Sequence, residues 1–471
     1  MAQKQKTNPD WTTLIPVTPG SGPRPQALYR ALRTLIETGR LAPGDRLPAT
    51  RHLAGALGLS RGAAVAAFEM LVADGFAEAR TGAGTFVATA VPALAPRPAA
   101  PPAGAGAAEP LLLPGTLGVS TPDEQTMALF RRLLNRHLHR PPASFFGYCD
   151  ARGSADLRAA IADYLAGARG VRCTAEQIVL TSGSQQGLDL IIRTAFRPGD
   201  AVWTEDPCYP MARAAFGGAG LVLTGVPVDD EGLDVAAGRR LCPAARAVCV
   251  TPSHQFPLGV AMTMRRRLAL VAWARETDGW IIEDDYDSEF RYAGAPLTAL
   301  QGIDDAGRVI YLGSFSKVLF PGLRMGYAVV PEALMAPLMA LRARTDRSPS
   351  ALAEAPLAAF LRQGHLARHL RRARRAARLG RDALVEGLRQ GGLAAVAPDQ
   401  GLHLICPLPP DSDDVALART ARQHGIGAAA LSPMFVTAAP RRGLVIGFSG
   451  FPAAALHDAG LRLGRLAAGR V

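Results

Sequence analysis

The chain has 471 residues, too many for one ordinary core, so two or three folded units are expected. Hydrophobic residues make up 48%, which supports a large buried core and excludes a disordered chain. Lys and Arg number 52 against 40 Asp and Glu, and the net charge of +12 admits nucleic acid, anionic surfaces or anionic ligands without choosing among them.

Residues 1–10 are polar and lack an apolar segment, so no secretory signal is expected. Leu28, Leu32, Leu35 and Ile36 recur at helical spacing, predicting an amphipathic helix near Gln26 to Thr38 that Gly39, Pro43 and Gly44 stop. Thr50 can cap a second helix to about Leu57, and Gly58 makes the turn. Ser60 can cap a third helix through Phe68 and Leu71 to Asp74. Phe76 to Ala79 and Thr85 to Val87 then flank a glycine-rich turn, as a hairpin does.

Three helices and such a hairpin predict a winged helix-turn-helix (α+β) over residues 22–88. The third helix would point its N-terminal residues, Ser60 and Arg61, at base edges in a major groove. Arg46 and Arg51 are candidate phosphate contacts, and Arg80, Thr81 and Gly82 form the wing tip. Any one of these arginines can equally be a plain surface charge. The ordered segments LPATR, LGLSR and GAGTFV resemble the GntR-type winged helix, which implies double-stranded operator DNA as a partner. Gly62, Ala63 and Ala64 stand where that family carries larger polar residues, so few direct base contacts are expected.

An Ala/Pro/Gly-rich linker is expected over residues 89–116; its stretch Thr89 to Pro110 is built from Ala, Pro and Gly, which give it little to bury and no helix or strand around its prolines. From 117 to 471, apolar runs alternate with helical stretches. Gln177–Leu180, Ala201–Thr204, Leu221–Val226, Ala247–Val250, Trp280–Asp284, Val309–Leu312 and Gly326–Val330 are the candidate strands of a mainly parallel α/β sheet. Ligands in such sheets sit in the loops after strand ends. The helical stretch His365–Arg378 is arginine-rich and is read as a solvated helix of this unit rather than a nucleic-acid stripe. The six cysteines (Cys149, Cys173, Cys208, Cys242, Cys249 and Cys406) form no CxxC pair. No disulfide framework or metal is expected, and a cytoplasmic location without a membrane partner fits.

The chemistry-bearing residues follow those strands. Ser314-Phe315-Ser316-Lys317 puts a lysine at a strand end beside hydroxyls, which suits Schiff-base formation with an aldehyde, and Arg324 can hold a phosphate. Asp284 and Tyr286 end the Trp280 strand. Adjacent acids can also bind a divalent metal, but no phosphate loop of the Gly-x-x-x-x-Gly-Lys type accompanies them. Thr181 to Gln186 opens a helix with Ser182, Gly183 and Ser184, either as a phosphate site or as ordinary N-capping by Ser182 or Ser184. Tyr209 stands in a loop after the Ala201 strand, and Pro252-Ser253-His254-Gln255-Phe256-Pro257-Leu258-Gly259 completes the set.

Taken in order, these pieces resemble fold-type I aminotransferases. Joined to the winged helix they resemble the MocR subfamily of GntR regulators, the PdxR type among them. The resemblance implies an α/β fold-type I aminotransferase-like domain carrying pyridoxal 5′-phosphate (PLP) on Lys317. It implies Asp284 at the pyridine nitrogen and Tyr286 at the ring hydroxyl, with Ser182, Gly183, Ser184, Ser314, Ser316 and Arg324 around the phosphate. Tyr148 matches a tyrosine that reaches the cofactor phosphate of a second subunit, which implies a homodimer.

Two positions depart from the enzymes. Phe256 stands where they place an asparagine against the ring hydroxyl. Val445 stands where they place the arginine that clamps a substrate carboxylate, and Arg441 and Arg442 should face elsewhere. The expectation is therefore a regulator whose small-molecule effector is PLP itself, with vitamin B6 metabolism as its subject. A regulator answering to an amino compound that reacts at Lys317 is the second expectation, with Arg213 best placed to help its substrate. A working aminotransferase is the third.

Overall fold

The structure, a computed structural model, describes residues 11, 15, 24–90, 112–294 and 297–469. It divides into two compact units, Met1–Ala108 and Glu109–Val471. Most of the expected linker, residues 91–111, lies outside the described residues, as do residues 22 and 23.

The small unit contains α1 (Arg24–Glu37), α2 (Thr50–Leu57), α3 (Arg61–Ala73), β1 (Ala77–Arg80) and β2 (Gly84–Val87). Leu28, Leu32, Leu35 and Ile36 are buried as their spacing requires, and they share one core with Leu53, Phe68 and Leu71. Gly58 ends α2 in the left-handed conformation, at φ 62°. Ser60 caps α3, its hydroxyl accepting from the Ala63 amide at 3.2 Å. β1 and β2 pair antiparallel, with Arg80 opposite Gly84. Two expectations change here. Thr50 is the first residue of α2, not its cap; Ala49 holds the cap position and no side chain bonds there. Ala63 and Ala64 are buried, because helix periodicity turns them to the core, so of that trio only Gly62 is exposed.

The large unit is built on an eight-stranded sheet in the order β3-β10-β9-β8-β7-β4-β5-β6. The strands are β3 (Ile178–Thr181), β4 (Ala201–Asp206), β5 (Val222–Asp229), β6 (Gly232–Leu233), β7 (Ala247–Val250), β8 (Trp280–Asp285), β9 (Val309–Ser314) and β10 (Gly326–Val329). Neighbours from β9 through to β5 run parallel, and β10 runs antiparallel between β9 and β3. The seven expected strands are all in this sheet, and β6 is an addition. Both sheet faces are covered: Ile178 and Leu180 join one core, and Val179 joins another with Ile282 and Ile310. Burial on both faces is why these strands read as unbroken apolar runs rather than as alternation.

Helix α4 (Ser184–Ala195) follows β3, and the short α5 (Phe315–Val318) follows β9. The long α6 (His365–Gln390) buries Leu366, His369, Leu370 and Ala377 and exposes Arg368, Arg371, Arg375 and Arg378. A second sheet, not foreseen, holds β11 (His403–Pro407), β12 (Ala429–Ala430) and β13 (Gly443–Gly447) in the order β11-β13-β12. Pro114 and Gly115 tie into this region, their carbonyls accepting from Gly427 and Gly447 at 2.8 Å. Among the described residues no helix is long and apolar enough to cross a membrane.

Candidate functional site

The register of the large sheet brings distant loops to one edge. Gly326 at the start of β10 pairs with both Thr181 and Ser314, the last residues of β3 and β9, and Asp285 at the end of β8 pairs with Gly313. The loops beyond these ends enclose a cavity of about 250 Å³. Gly183, Ser184, Tyr209, Asp284, Tyr286, Ser314, Ser316, Lys317 and Arg324 all line it. Gln185, Thr251, Leu117, Gly118 and His403 line it too, and sequence reasoning missed them. The only available signal was for Gln185, which adjoins Ser184. Two expected residues stand apart. Ser182 is not in the lining; its amide donates to the Gln186 side chain at 2.5 Å, and Gly183 takes the turn into α4. Tyr148 is 81% exposed, with the Arg347 guanidinium 4.5 Å from its ring centre, so it contributes nothing to the cavity of its own chain.

One end of the cavity suits an anion. Gly183 caps α4 at φ 114° with no side-chain hydrogen bond, which leaves the first amides of the helix unclaimed; of the two readings, a phosphate site or N-capping by Ser182 or Ser184, the capping one is absent. A Cβ at Gly183 would lie 3.5 Å from the Arg324 guanidinium nitrogens. Arg324 itself adopts the left-handed conformation at φ 50°, which costs a non-glycine residue roughly 1–2 kcal/mol. The strain falls on the residue that carries the positive charge of this end. The Ser314 hydroxyl accepts from the Ser316 amide at 3.1 Å and stays on the cavity wall.

The other end holds a lysine facing a carboxylate. Lys317 sits in α5, and its Nζ donates to the Gly118 carbonyl at 3.1 Å. Burial lowers its pKa, against the pull of Asp287 and Asp284, which enlarges the neutral, nucleophilic fraction. Asp284 is pushed up to about 7 by burial and then by neighbouring Asp285. Its Oδ1 is buried without a hydrogen-bond partner. An unpaired buried carboxylate oxygen is costly, and it marks a place where a ligand's donor belongs. Asp285 is spoken for: Arg169 Nε lies 2.8 Å from it, and the Tyr311 hydroxyl donates to it.

Behind Tyr286 lies a buried polar group. His254 Nδ1 is 3.0 Å from the Tyr286 hydroxyl and 3.0 Å from Asp287 Oδ2. Donor atoms of His254, Asp287 and His403 come within 4.8 Å of one another. His403 Nε2, however, meets the Pro257 carbonyl at 2.9 Å, and burial pushes its pKa down to about 4, so this ring is neutral. Phe256 packs edge-on against Tyr209 and Tyr286, at 5.4 and 6.1 Å between ring centres. Val445 is fully buried on β13 in an apolar cluster with Phe256, Leu431 and Met434. Arg442 pairs with Asp414 at 3.4 Å, Arg441 lies over the Phe435 ring, and Arg213 donates to the Phe435 carbonyl at 3.0 Å; none of the three lines the cavity.

In the small unit, Ser60, Arg61 and Gly62 are exposed at the start of α3, and Arg51 is exposed at the start of α2. Arg51 and Arg61 make no ion pair among the described residues. Arg46 is exposed and reaches the wing, where a Cβ on Gly84 would meet its Nε at 3.2 Å. Arg80 is partly engaged, 3.5 Å from Glu78 and over the Phe86 ring, while Thr81 and Gly82 are exposed at the tip.

Residues 25–87 match the family described as bacterial regulatory proteins, gntR family, and residues 117–442 match aminotransferase class I and II. The chain is 36% identical over 450 residues to the probable rhizopine catabolism regulatory protein MocR of Rhizobium meliloti, covering 91% of this chain and 90% of that protein. The chain belongs to the MocR-type GntR regulators. A second relative of this MocR-type chain is the HTH-type pyridoxine biosynthesis transcriptional regulator PdxR of Corynebacterium glutamicum, 34% identical over 90% of this chain and 91% of that protein. Among solved structures, an archaeal alanine:glyoxylate aminotransferase matches with a TM-score of 0.70 at 26% identity, over 76% of this chain and 91% of its own. The kynurenine aminotransferase of Pyrococcus horikoshii matches with a TM-score of 0.69 at 26% identity, over the same shares. The large unit of the MocR-type chain thus has the fold-type I aminotransferase fold, a family that typically binds PLP. Its GntR-type small unit implies DNA binding.

Proposed function

We propose that this MocR-type protein binds operator DNA through its small unit and holds PLP on Lys317 in its large unit. The protein answers to PLP rather than to an amino acid. The observation that carries this reading is the charge of the cavity wall. It offers an unpaired buried carboxylate on Asp284, a strained Arg324 beside free helix amides, and Lys317; among the described residues it offers no second arginine. These residues fit the cofactor. Asp284 would pair with its ring nitrogen, Tyr286 would face its ring hydroxyl, and Gly183, Ser184, Ser314, Ser316 and Arg324 would surround its phosphate. When bound, the cofactor supplies an aldehyde carbon for the lysine and an electron-withdrawing ring.

An amino acid arriving at Lys317 would need a cation for its carboxylate. Val445 is buried behind the cavity in a cluster whose members Phe256 and Leu117 line it as apolar surface, and His403 on the same wall is neutral. Leaving a buried carboxylate unpaired costs on the order of 2–5 kcal/mol, enough to prevent productive docking. The relative named for pyridoxine biosynthesis supports vitamin B6 metabolism as the regulated process. The relative named for rhizopine catabolism supports the second reading, an effector other than PLP such as an amino compound, and Arg213, now bonded to the Phe435 carbonyl, is the cation that would have to be released to meet it. A homodimer and a cytoplasmic location are parts of the proposal; exposed Tyr148 would then reach the cavity of a second copy.

The test titrates operator DNA with PLP-free and PLP-loaded protein, then adds a panel of amino acids and amines. DNA affinity should change with PLP and be indifferent to the panel. Equal affinity with and without PLP, together with a response to one amino compound, would replace this reading by the second.

A further inference from the structure

Tyr286 has one phenol proton, and the residues behind it decide where that proton points. The hydroxyl oxygen lies 3.0 Å from His254 Nδ1, and the same nitrogen lies 3.1 and 3.0 Å from the two Asp287 oxygens. His254 and Asp287 are only 3% and 1% exposed, so water does not share these bonds. The Leu402 amide donates to Asp287 Oδ2 at 3.2 Å, so that oxygen already serves as an acceptor. A carboxylate accepts and cannot donate, so the proton between the two residues belongs to Nδ1. His254 Nε2 is buried without a partner, which agrees: a bare acceptor is tolerated there better than an orphaned N–H.

With Nδ1 protonated and its hydrogen engaged by Asp287, that nitrogen has no lone pair to receive the Tyr286 proton, so the phenol does not donate to His254. Its own proton is left to be donated into the cavity that Tyr286 lines. The imidazole has no room to turn away. A Cβ on Gly401 would lie 1.8 Å from His254 Cε1, and the His403 ring centre is 5.0 Å off. On the cavity side, position 256 is a phenylalanine and supplies no competing donor.

We infer that His254, backed by Asp287, is a positioning residue that aims the Tyr286 proton into the cavity, where an oxyanion of the ligand would receive it. The inference rests on the reading that the cavity holds PLP. The charged and titratable groups around the pair are Asp284, Asp285 and Asp287 from β8 and its loop, His403 from β11, Lys317 from α5 and Glu205 from β4. Replacing His254 by leucine also removes a hydrogen bond to Asp287 and a ring beside His403, so the asparagine variant, which keeps a donor toward Asp287, is the comparison that isolates the donor.

The experiment uses full-length protein loaded with PLP and follows its visible absorbance against pH. A phenol donor stabilises the more negative, deprotonated form of the bound group, so losing the donor raises the midpoint. His254→Leu should raise it by about one pH unit, the scale of one hydrogen bond. Tyr286→Phe should raise it at least as far. In the Tyr286→Phe background, His254→Leu should add less than about 0.3 unit, because the two act through one proton. His254→Asn, whose amide reproduces the Nδ1 donor, should stay within about 0.3 unit of the parent and covers the case in which the leucine variant does not fold. PLP stoichiometry after borohydride reduction is measured alongside. Absence of bound PLP in the parent protein sinks the cavity reading itself. Normal PLP content with an unmoved midpoint, an additive double variant, or a full-unit shift in His254→Asn overturns the role of His254. So would a stoichiometric divalent metal that co-purifies and is lost in His403→Ala.

Discussion

Asp284→Asn should make the PLP-free protein more stable and PLP harder to hold. Burial and Asp285 raise the Asp284 carboxyl from 3.8 to about 7. Its folded pKa thus exceeds its unfolded one, so the folded chain binds more protons between these values. Stability from this group is therefore full below about pH 4 and declines as pH rises to about 7. A shift of about 3 units corresponds to an upper bound of ~4 kcal/mol above pH 7. Because the side chain lines the cavity, solvent screening there brings this down to about 1–3 kcal/mol. Asparagine removes the charge at nearly constant volume. Urea unfolding can be followed by the fluorescence of Trp203, Trp273 and Trp280, all in the large unit. At pH 8 the variant should gain about 1–3 kcal/mol, and at pH 5 the gain should shrink to about a third, because the wild-type carboxyl is then protonated in the fold. PLP affinity should fall at least ~30-fold, since a neutral amide replaces a charged partner of a ring nitrogen. A variant less stable at pH 8, a gain equal at both pH values, or an unchanged PLP affinity would each refute the reasoning.

Lys317→Ala should abolish the visible band of bound PLP and the borohydride-fixed adduct; an adduct mapped to another lysine shows the site to be wrong. Arg51→Ala and Arg61→Ala should each weaken operator binding and lower the salt slope by roughly one unit, as a lost phosphate contact does. An unchanged slope would make them plain surface charges. Ser60→Ala should cost the small unit about 1 kcal/mol and speed hydrogen exchange at the Ala63 amide, and unchanged exchange there would deny the cap its role.

Much of the fold is legible in short windows of sequence. Leu28, Leu32, Leu35 and Ile36 form a buried helix face because 3.6 residues make a turn, and Ser60 caps α3 because its oxygen is three residues from an orphan amide. The seven long strands are legible because both their faces are buried. The small sheet of β11, β12 and β13 was not, since β12 has two residues and β11 and β13 carry no turn-marked pattern of their own. Ala63 and Ala64 show the same limit: their size was visible, but the side of the helix they occupy depends on where the core lies.

The sequence by itself determined the two-part organisation, the order of the motifs, and the identities of the lysine, the acid, the phenol and the arginine. These are matters of local spacing and of which chemistry each side chain can perform. Only the tertiary structure decided that Thr251, His403 and Gly118 share a cavity with Lys317, that Ser182 does not, and that Asp284 Oδ1 lacks a partner. It alone put His254 between Tyr286 and Asp287, behind a Gly401 that lies more than a hundred positions away. The physical reason is that strand order and register bring loops together across hundreds of residues. Burial, which unpairs a carboxylate or fixes a tautomer, is a property of that gathering and not of any segment read alone.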